Sequence, residues 1–198
     1  MSFVGGVGYS NIDLIYSGLD RLPDKGEEIF ARGFSMQFGG GIPATMINLS
    51  RLGVESRIIT FAGHDLFSEF VKKTLNSYPV KTVNLYKGNK MPVVLSSTLL
   101  YCGDRSFISY TDGMDLNDAV MDEVYENLKG AYVVDMHVGF LDVYKRLKKD
   151  GCIQIFDTGW EDDLTLEKYK DYLEIADYYI PNQKEAMKIT GTSSVEEA

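Results

Sequence analysis

The sequence predicts an α/β protein: a mostly parallel sheet flanked by helices, with a small second β-sheet standing off it. Two observations carry this. Short β-like runs alternate with segments of helical period, the pattern of strands joined by crossover helices. Two regions, about 27–38 and 91–110, break that rhythm and hold β-rich runs with no helix between them.

In order, Phe3 to Val7 reads as the first strand. Ile42 to Leu52 places apolar residues at 42, 46, 49 and 52, one face of a helix. Arg57 to Ala62 is a strand, and Leu66, Phe67, Phe70, Val71 and Leu75 form a helical stripe. Ala131 to Met136 is a strand; Phe140, Val143, Tyr144 and Leu147 follow at i, i+3, i+4, i+7. Ile153 to Phe156 is a strand, then a helix near Leu164 to Ile175, a strand at Asp177 to Ile180 and a helix opening near Gln183. In the irregular regions, Val93 to Tyr101 and Ser106 to Tyr110 flank Cys102-Gly103-Asp104-Arg105, a turn short enough for a hairpin. These pieces predict a small antiparallel sheet.

Composition excludes several classes of function. The net charge of −9 with no basic run argues against nucleic acid and anionic membranes as partners. No apolar run approaches the ~20 residues of a membrane span, and the start lacks the layout of a signal peptide. Cys102 and Cys152 stand far apart without CxxC spacing, which predicts buried free thiols and a cytoplasmic location. His64 and His137 have no partner at metal-ligand spacing and read as packing or surface residues.

Three segments hold candidate chemistry. Gly39-Gly40-Gly41 precedes the first helix. Glycines there let a ligand approach the backbone and the free N–H groups of the helix start, or they simply make the turn. Asn11 and Asp13 lie two apart on an extended segment, hence on one side. An amide beside a carboxylate can grip vicinal hydroxyls; a turn or cap pair is the other reading. Pro181-Asn182-Gln183-Lys184-Glu185 follows a strand at the sheet's carboxyl edge, where open α/β sheets bind ligands. Glu185 there suits Mg²⁺ held through water and Lys184 suits phosphate. The same spacing also makes Asn182 and Glu185 a capping box. Asp157 ends a strand, as a polar group of the cleft or a turn residue.

Taken in order, these segments resemble the ribokinase-like (PfkB) carbohydrate kinases along essentially the whole chain. Phe38-Gly39-Gly40-Gly41-Ile42-Pro43-Ala44-Thr45 through Arg51-Leu52-Gly53 is similar to the family's N-terminal signature. Asn11-Ile12-Asp13 matches its Asn-x-Asp, Ala62-Gly63-His64-Asp65 its Gly-x-Asp, Gly103-Asp104-Arg105-Ser106-Phe107 its lid hairpin, and Pro181 to Ala186 its Asn-x-x-Glu motif.

The resemblance implies a Rossmann-like, ribokinase-like fold whose irregular regions form a β lid that closes over sugar and pairs subunits into a homodimer. It implies transfer of the ATP γ-phosphoryl group to a sugar hydroxyl. Asn11, Asp13, Gly40, Gly41 and Arg105 would bind sugar. Asn182, Lys184 and Glu185 would handle ATP and Mg²⁺, with Glu185 acting on the metal.

Two departures stand out. The signature helix usually carries an early Asn where this chain has Ala44 or Thr45, which bears on the substrate. The family's second signature, Asp-Thr-x-Gly-Ala-Gly-Asp, is absent; Asp157-Thr158-Gly159-Trp160 opens similarly but lacks its end. That signature supplies the general base, worth ~10²–10⁴-fold, which is therefore expected downstream of Ala198. Ser193-Ser194-Val195-Glu196-Glu197 likewise reads as a helix start cut short, so the sequence reads as the N-terminal portion of a longer domain. The competing functions are a non-catalytic sugar-binding remnant, a nucleoside kinase of the same family, and a nucleotide-binding oxidoreductase. The last needs a Gly-x-Gly-x-x-Gly turn that Gly5-Gly6-Val7-Gly8 does not supply.

Overall fold

In the computed structural model, which describes residues 3–198, two sheets share the chain. The larger is built from β1 (Phe3–Val7), β4 (Ser56–Thr60), β5 (Lys81–Asn84), β8 (Ala131–Met136), β9 (Ile153–Phe156) and β10 (Tyr178–Tyr179). Its order is β10-β9-β8-β1-β4-β5, and every pairing is parallel. A parallel sheet needs both faces covered. α1 (Gly41–Arg51) and α2 (Leu66–Asn76) cover one, burying Ile42, Met46, Ile47, Val71 and Leu75 against Val4 and Ile58. α3 (Asp118–Leu128), α4 (Leu141–Lys149) and α5 (Leu166–Ile175) cover the other, with Val124, Leu128, Val143, Tyr144, Leu147 and Tyr169 packed on Val7, Val134 and Phe156. α6 (Gln183–Thr190) follows β10 and adds Ile189 to that second core.

Gly5 and Gly6, which do not complete a nucleotide-binding turn, are interior positions of β1. A Cβ on Gly5 would meet Leu128 at 2.6 Å and one on Gly6 would meet Ile42 at 2.5 Å, so they let α3 and α1 press on the central strand from opposite sides.

The second sheet contains β2 (Asn11–Ser17), β3 (Gly33–Gly39), β6 (Val94–Tyr101) and β7 (Asp104–Tyr110), in the order β3-β2-β6-β7. The expectation of an antiparallel sheet is corrected here. β2 pairs with β3 antiparallel, but β2 and β6 run parallel, so the sheet is mixed. The reason is topological: β2 continues β1 into the lid, and β6 enters it from the same end of the large sheet. The small sheet therefore also includes 11–17, and its strand in the 27–38 region is Gly33–Gly39, with 27–32 irregular.

The hairpin joining β6 to β7 turns on two residues. Tyr101 pairs with Asp104, and Cys102 and Gly103 both have positive φ, 50° and 78°, as a type I′ turn requires. Cys102 is exposed at that tip, against the expectation of burial; Cys152 is buried. Leu66 is exposed at the start of α2 and lies outside its buried stripe. Residues 192–198 form turns, and α6 ends at Gly191 in the left-handed conformation. Among the described residues no helix is long and apolar enough to cross a membrane.

Candidate functional site

The chain leaves β1 at its carboxyl end and passes directly into the lid through Gly8-Tyr9-Ser10. Ser10 is buried and tied at both ends: its hydroxyl pairs with Thr60 Oγ1 at 2.9 Å, and its carbonyl accepts from Val94 N at 2.9 Å. This fixes where β2 begins. Asn11 and Asp13 then project from one face of β2, as alternation requires. Asn11 Nδ2 donates to Asp13 Oδ1 at 2.9 Å. Ser96 Oγ, on β6, donates to Asn11 Oδ1 at 3.2 Å and shares a 2.8 Å bond with Ser109 Oγ on β7. Burial raises the Asp13 carboxyl above its usual range, opposed by the Asn11 bond and by the positive charge of Arg105. Arg105 makes no direct contact with the pair: it lies on β7 opposite Leu100, four residues along from Ser109.

The glycines sort into different roles. Gly39, at the end of β3, lies opposite Asn11 in register, and a Cβ there would stand 2.6 Å from Asp13 Oδ2. Gly40 precedes α1 with φ 100°, and its Cβ would stand 2.9 Å from the Tyr9 carbonyl oxygen. At Gly41 a Cβ would meet nothing within 4 Å, so no packing there demands glycine. No side chain caps α1 and its first turn has no acidic residue, leaving the positive end of the helix beside the Asn11–Asp13 pair. At the position of the missing signature Asn, Ala44 offers no polar group. Thr45 is exposed and returns its hydroxyl to Gly41 O at 3.0 Å.

Sequence reasoning missed Asp135, although a carboxylate inside the apolar strand Val133-Val134-Asp135-Met136 was a visible signal. It lies near the carboxyl end of β8, where burial pushes its pKa up to about 6. The nearby Thr45 side chain lowers it, and the charge of Asp157, just past β9, raises it further. Two residues on, His137 packs edge-on against Tyr9 and Phe140, its Nδ1 2.8 Å from Val138 O, and burial lowers its pKa. Its packing role agrees with the sequence reading.

At the far end of the same edge, Asn182 and Glu185 form a complete capping box. Asn182 Oδ1 accepts from Glu185 N at 3.0 Å and Glu185 Oε2 accepts from Asn182 N at 2.9 Å. The capping reading therefore holds, with Glu185 only 4% exposed. Burial raises the Tyr179 hydroxyl, its bond with Thr158 Oγ1 at 3.1 Å lowers it, and the charges of Glu185 and Asp157 raise it further. Lys184 is exposed on α6, its Nζ 4.0 Å from Asp104 Oδ2 at the lid tip. The tip of the β6–β7 hairpin thus reaches the start of α6. Among the described residues no three His, Cys, Asp or Glu side chains form a metal cluster.

A cavity of about 880 Å³ lies elsewhere, between the 85–90 loop, the 112–117 segment and α3. Two of its charged groups are paired there: Lys87 with Glu123 at 2.8 Å, and Asp112 with Met91 N and the Tyr110 hydroxyl.

Comparison with known proteins bears on the fold and the family. The ribokinase of Giardia lamblia superposes with a TM-score of 0.81 at 19% identity, over 98% of this chain and 61% of its own. The Arabidopsis thaliana ribokinase complexed with ribose and ATP gives 0.77 at 23% identity, over 96% and 64%. These likenesses show the ribokinase fold. The uncharacterized sugar kinase PH1459 of Pyrococcus horikoshii is 35% identical over 92 residues, 44% of this chain and 30% of that protein. The chain spans less than two thirds of the length of these relatives. The profile of the pfkB family carbohydrate kinases matches residues 1–198, and the chain belongs to that family.

Proposed function

We propose that this chain supplies the sugar grip and part of the phosphate-handling edge of an ATP-dependent sugar kinase, which moves the γ-phosphoryl group of ATP to a sugar hydroxyl. The carrying observation is the oriented Asn11–Asp13 pair beside the uncapped start of α1, spanned by a lid whose tip reaches Lys184. Asp13 accepts from sugar hydroxyls, and the spare Asn11 amide hydrogen donates to one. The glycine backbone at 39 and 40 admits the ring, and Arg105 closes over it from the lid. Lys184 offsets phosphate charge as the lid closes, and Asn182 holds the helix end that faces the phosphates. Glu185 would hold Mg²⁺ through water, and the ion, when bound, neutralises charge on the phosphate oxygens.

The ribose and ATP bound to the Arabidopsis relative and the sugar-kinase name of the Pyrococcus protein support this reading. The test is to incubate the product of the natural gene with ATP, Mg²⁺ and a panel of neutral sugars, following phosphorylation by mass spectrometry. At least one sugar should be phosphorylated, and Asp13→Ala should lower that rate about 100-fold or more. Sugar binding with no phosphorylation would replace the kinase with a non-catalytic sugar-binding protein.

The lid also carries a partner proposal. Its face away from Asp13 exposes Phe34 (61%), Met36, Ile108 (72%) and Tyr110, an apolar strip suited to the same face of a second copy. Sedimentation should give a dimer that Ile108→Lys converts to monomer; a wild-type monomer at micromolar concentration would exclude it.

A further inference from the structure

We propose that Ser96 and Ser109 are positioning residues for the sugar grip: they form a one-way hydrogen-bond relay, Ser109 to Ser96 to Asn11 to Asp13, that crosses β7, β6 and β2 and ends on the carboxylate. The proposal rests on the reading of Asp13 as a sugar-binding group.

The direction follows from donor and acceptor chemistry. An ionised carboxylate only accepts, so the bond of 2.9 Å to Asp13 Oδ1 places the Asn11 amide nitrogen toward Asp13. The amide oxygen then faces Ser96, which must donate its single hydroxyl hydrogen across 3.2 Å. Ser96 has no second hydrogen, so the 2.8 Å bond to Ser109 is donated by Ser109. Each bond polarises the next, and the chain reinforces itself where water is excluded. Ser96 is 3% exposed, which supplies that exclusion at the middle of the relay. Ser109 is exposed and lies on the lid's outer hairpin strand, four residues from Arg105 and on the same face.

The relay has two consequences for the grip. The relay ends on Asp13 Oδ1 and holds the carboxylate in place, so Oδ2 is left to accept from a sugar hydroxyl. The relay also reports the register of β7 on β6 to the sugar carboxylate: with β7 out of place, Ser96 loses its donor and the Asn11 amide loses its fixed orientation. Arg105 on β7 supplies the positive charge that acts on Asp13; β3 faces it with Gln37 and Gly39, and the first turn of α1 holds no acidic residue.

The experiment uses the 198-residue chain, with carboxyl-carbon NMR titration of Asp13 and calorimetric binding of D-ribose and D-fructose. Ser96→Ala and Ser109→Ala should each raise the Asp13 pKa, with Ser96→Ala the larger. Each should weaken whichever sugar binds by about fivefold, the worth of one neutral hydrogen bond. Ser109→Thr, which keeps the hydroxyl, should restore both readouts. Because the relay is serial, the double Ala variant should match Ser96→Ala alone. A purely structural role would lower the melting temperature and leave the Asp13 titration in place, and that result overturns the relay. So does an additive double variant. A shifted titration with neither sugar binding the wild type upholds the relay and counts against Asp13 as a sugar grip.

Discussion

Replacing Gly39 with alanine should separate binding from stability at the sugar grip. The added Cβ would stand 2.6 Å from Asp13 Oδ2, where carbon and oxygen need ~3.3 Å or more, so the carboxylate must retreat by roughly 0.7–1 Å. A shift of that size stretches the 2.9 Å bond from Asn11 beyond hydrogen-bonding range. A bond to a charged group is worth about 1.5–3 kcal/mol, so sugar affinity should fall by about 10–100-fold. The backbone at Gly39 has no positive φ, and alanine inside a strand is preferred over glycine by about 0.5–1 kcal/mol. Folding stability should therefore stay level or rise. The assay pairs isothermal titration of sugar with urea denaturation. Unchanged affinity in Gly39→Ala, or affinity lost only in step with folding, would refute the close packing of Gly39 on Asp13 as the reason for glycine.

Asp135 predicts a pH dependence. Its native pKa of about 6 lies above the ordinary carboxylate value of 3.8, so the native state holds the proton more tightly than the unfolded chain. The stabilisation is full below about pH 4 and lost as pH rises through 6, by on the order of 3 kcal/mol. Asp135→Asn should flatten this loss and be more stable than wild type at pH 7 in urea denaturation; parallel pH profiles would remove Asp135 as its cause. Cys102→Asn should stabilise the hairpin by about 0.5–1 kcal/mol, because asparagine suits the positive φ of 50° that cysteine endures. Slower amide exchange in β6 and β7 would show it. Thr98 is buried in β6 with a hydroxyl that has no partner. Thr98→Val should raise stability by about 1 kcal/mol, and a fall in melting temperature would mean that the hydroxyl is satisfied in solution.

The body of the fold was readable because a parallel sheet imposes local patterns: apolar runs for strands, and buried stripes such as 143, 144 and 147 for helices. α3 escaped because Asp118, Asp122, Glu123 and Glu126 dilute its stripe of Val120, Val124 and Leu128, although the Asn117 cap marks its start. β5 is four residues long with two polar ends, too short for periodicity to register. In the site, Asn11 and Asp13 were legible because alternation within one strand places them together. Gly39 was legible as part of a glycine turn, but its packing on Asp13 and the place of Ser96 were not, since both depend on register between strands distant in sequence. The same holds for the direction of β2 against β6, which no local pattern encodes.

That parallel pairing bears on how the protein is made. Asn11 meets Val94 and Tyr16 meets Leu99, partners about 80 residues apart, so β2 leaves the ribosome long before the strand it must lie beside. Contacts of that span form late, after the entropy of closing the intervening loop has been overcome. The hairpin of β6 and β7 has a two-residue turn and forms early by comparison. Until it docks, one edge of β2 is open to any stray strand. Slow folding and strand exchange between nascent copies should therefore trace to the lid rather than to the larger sheet, and a tighter turn at 102–103 should raise the yield of native protein.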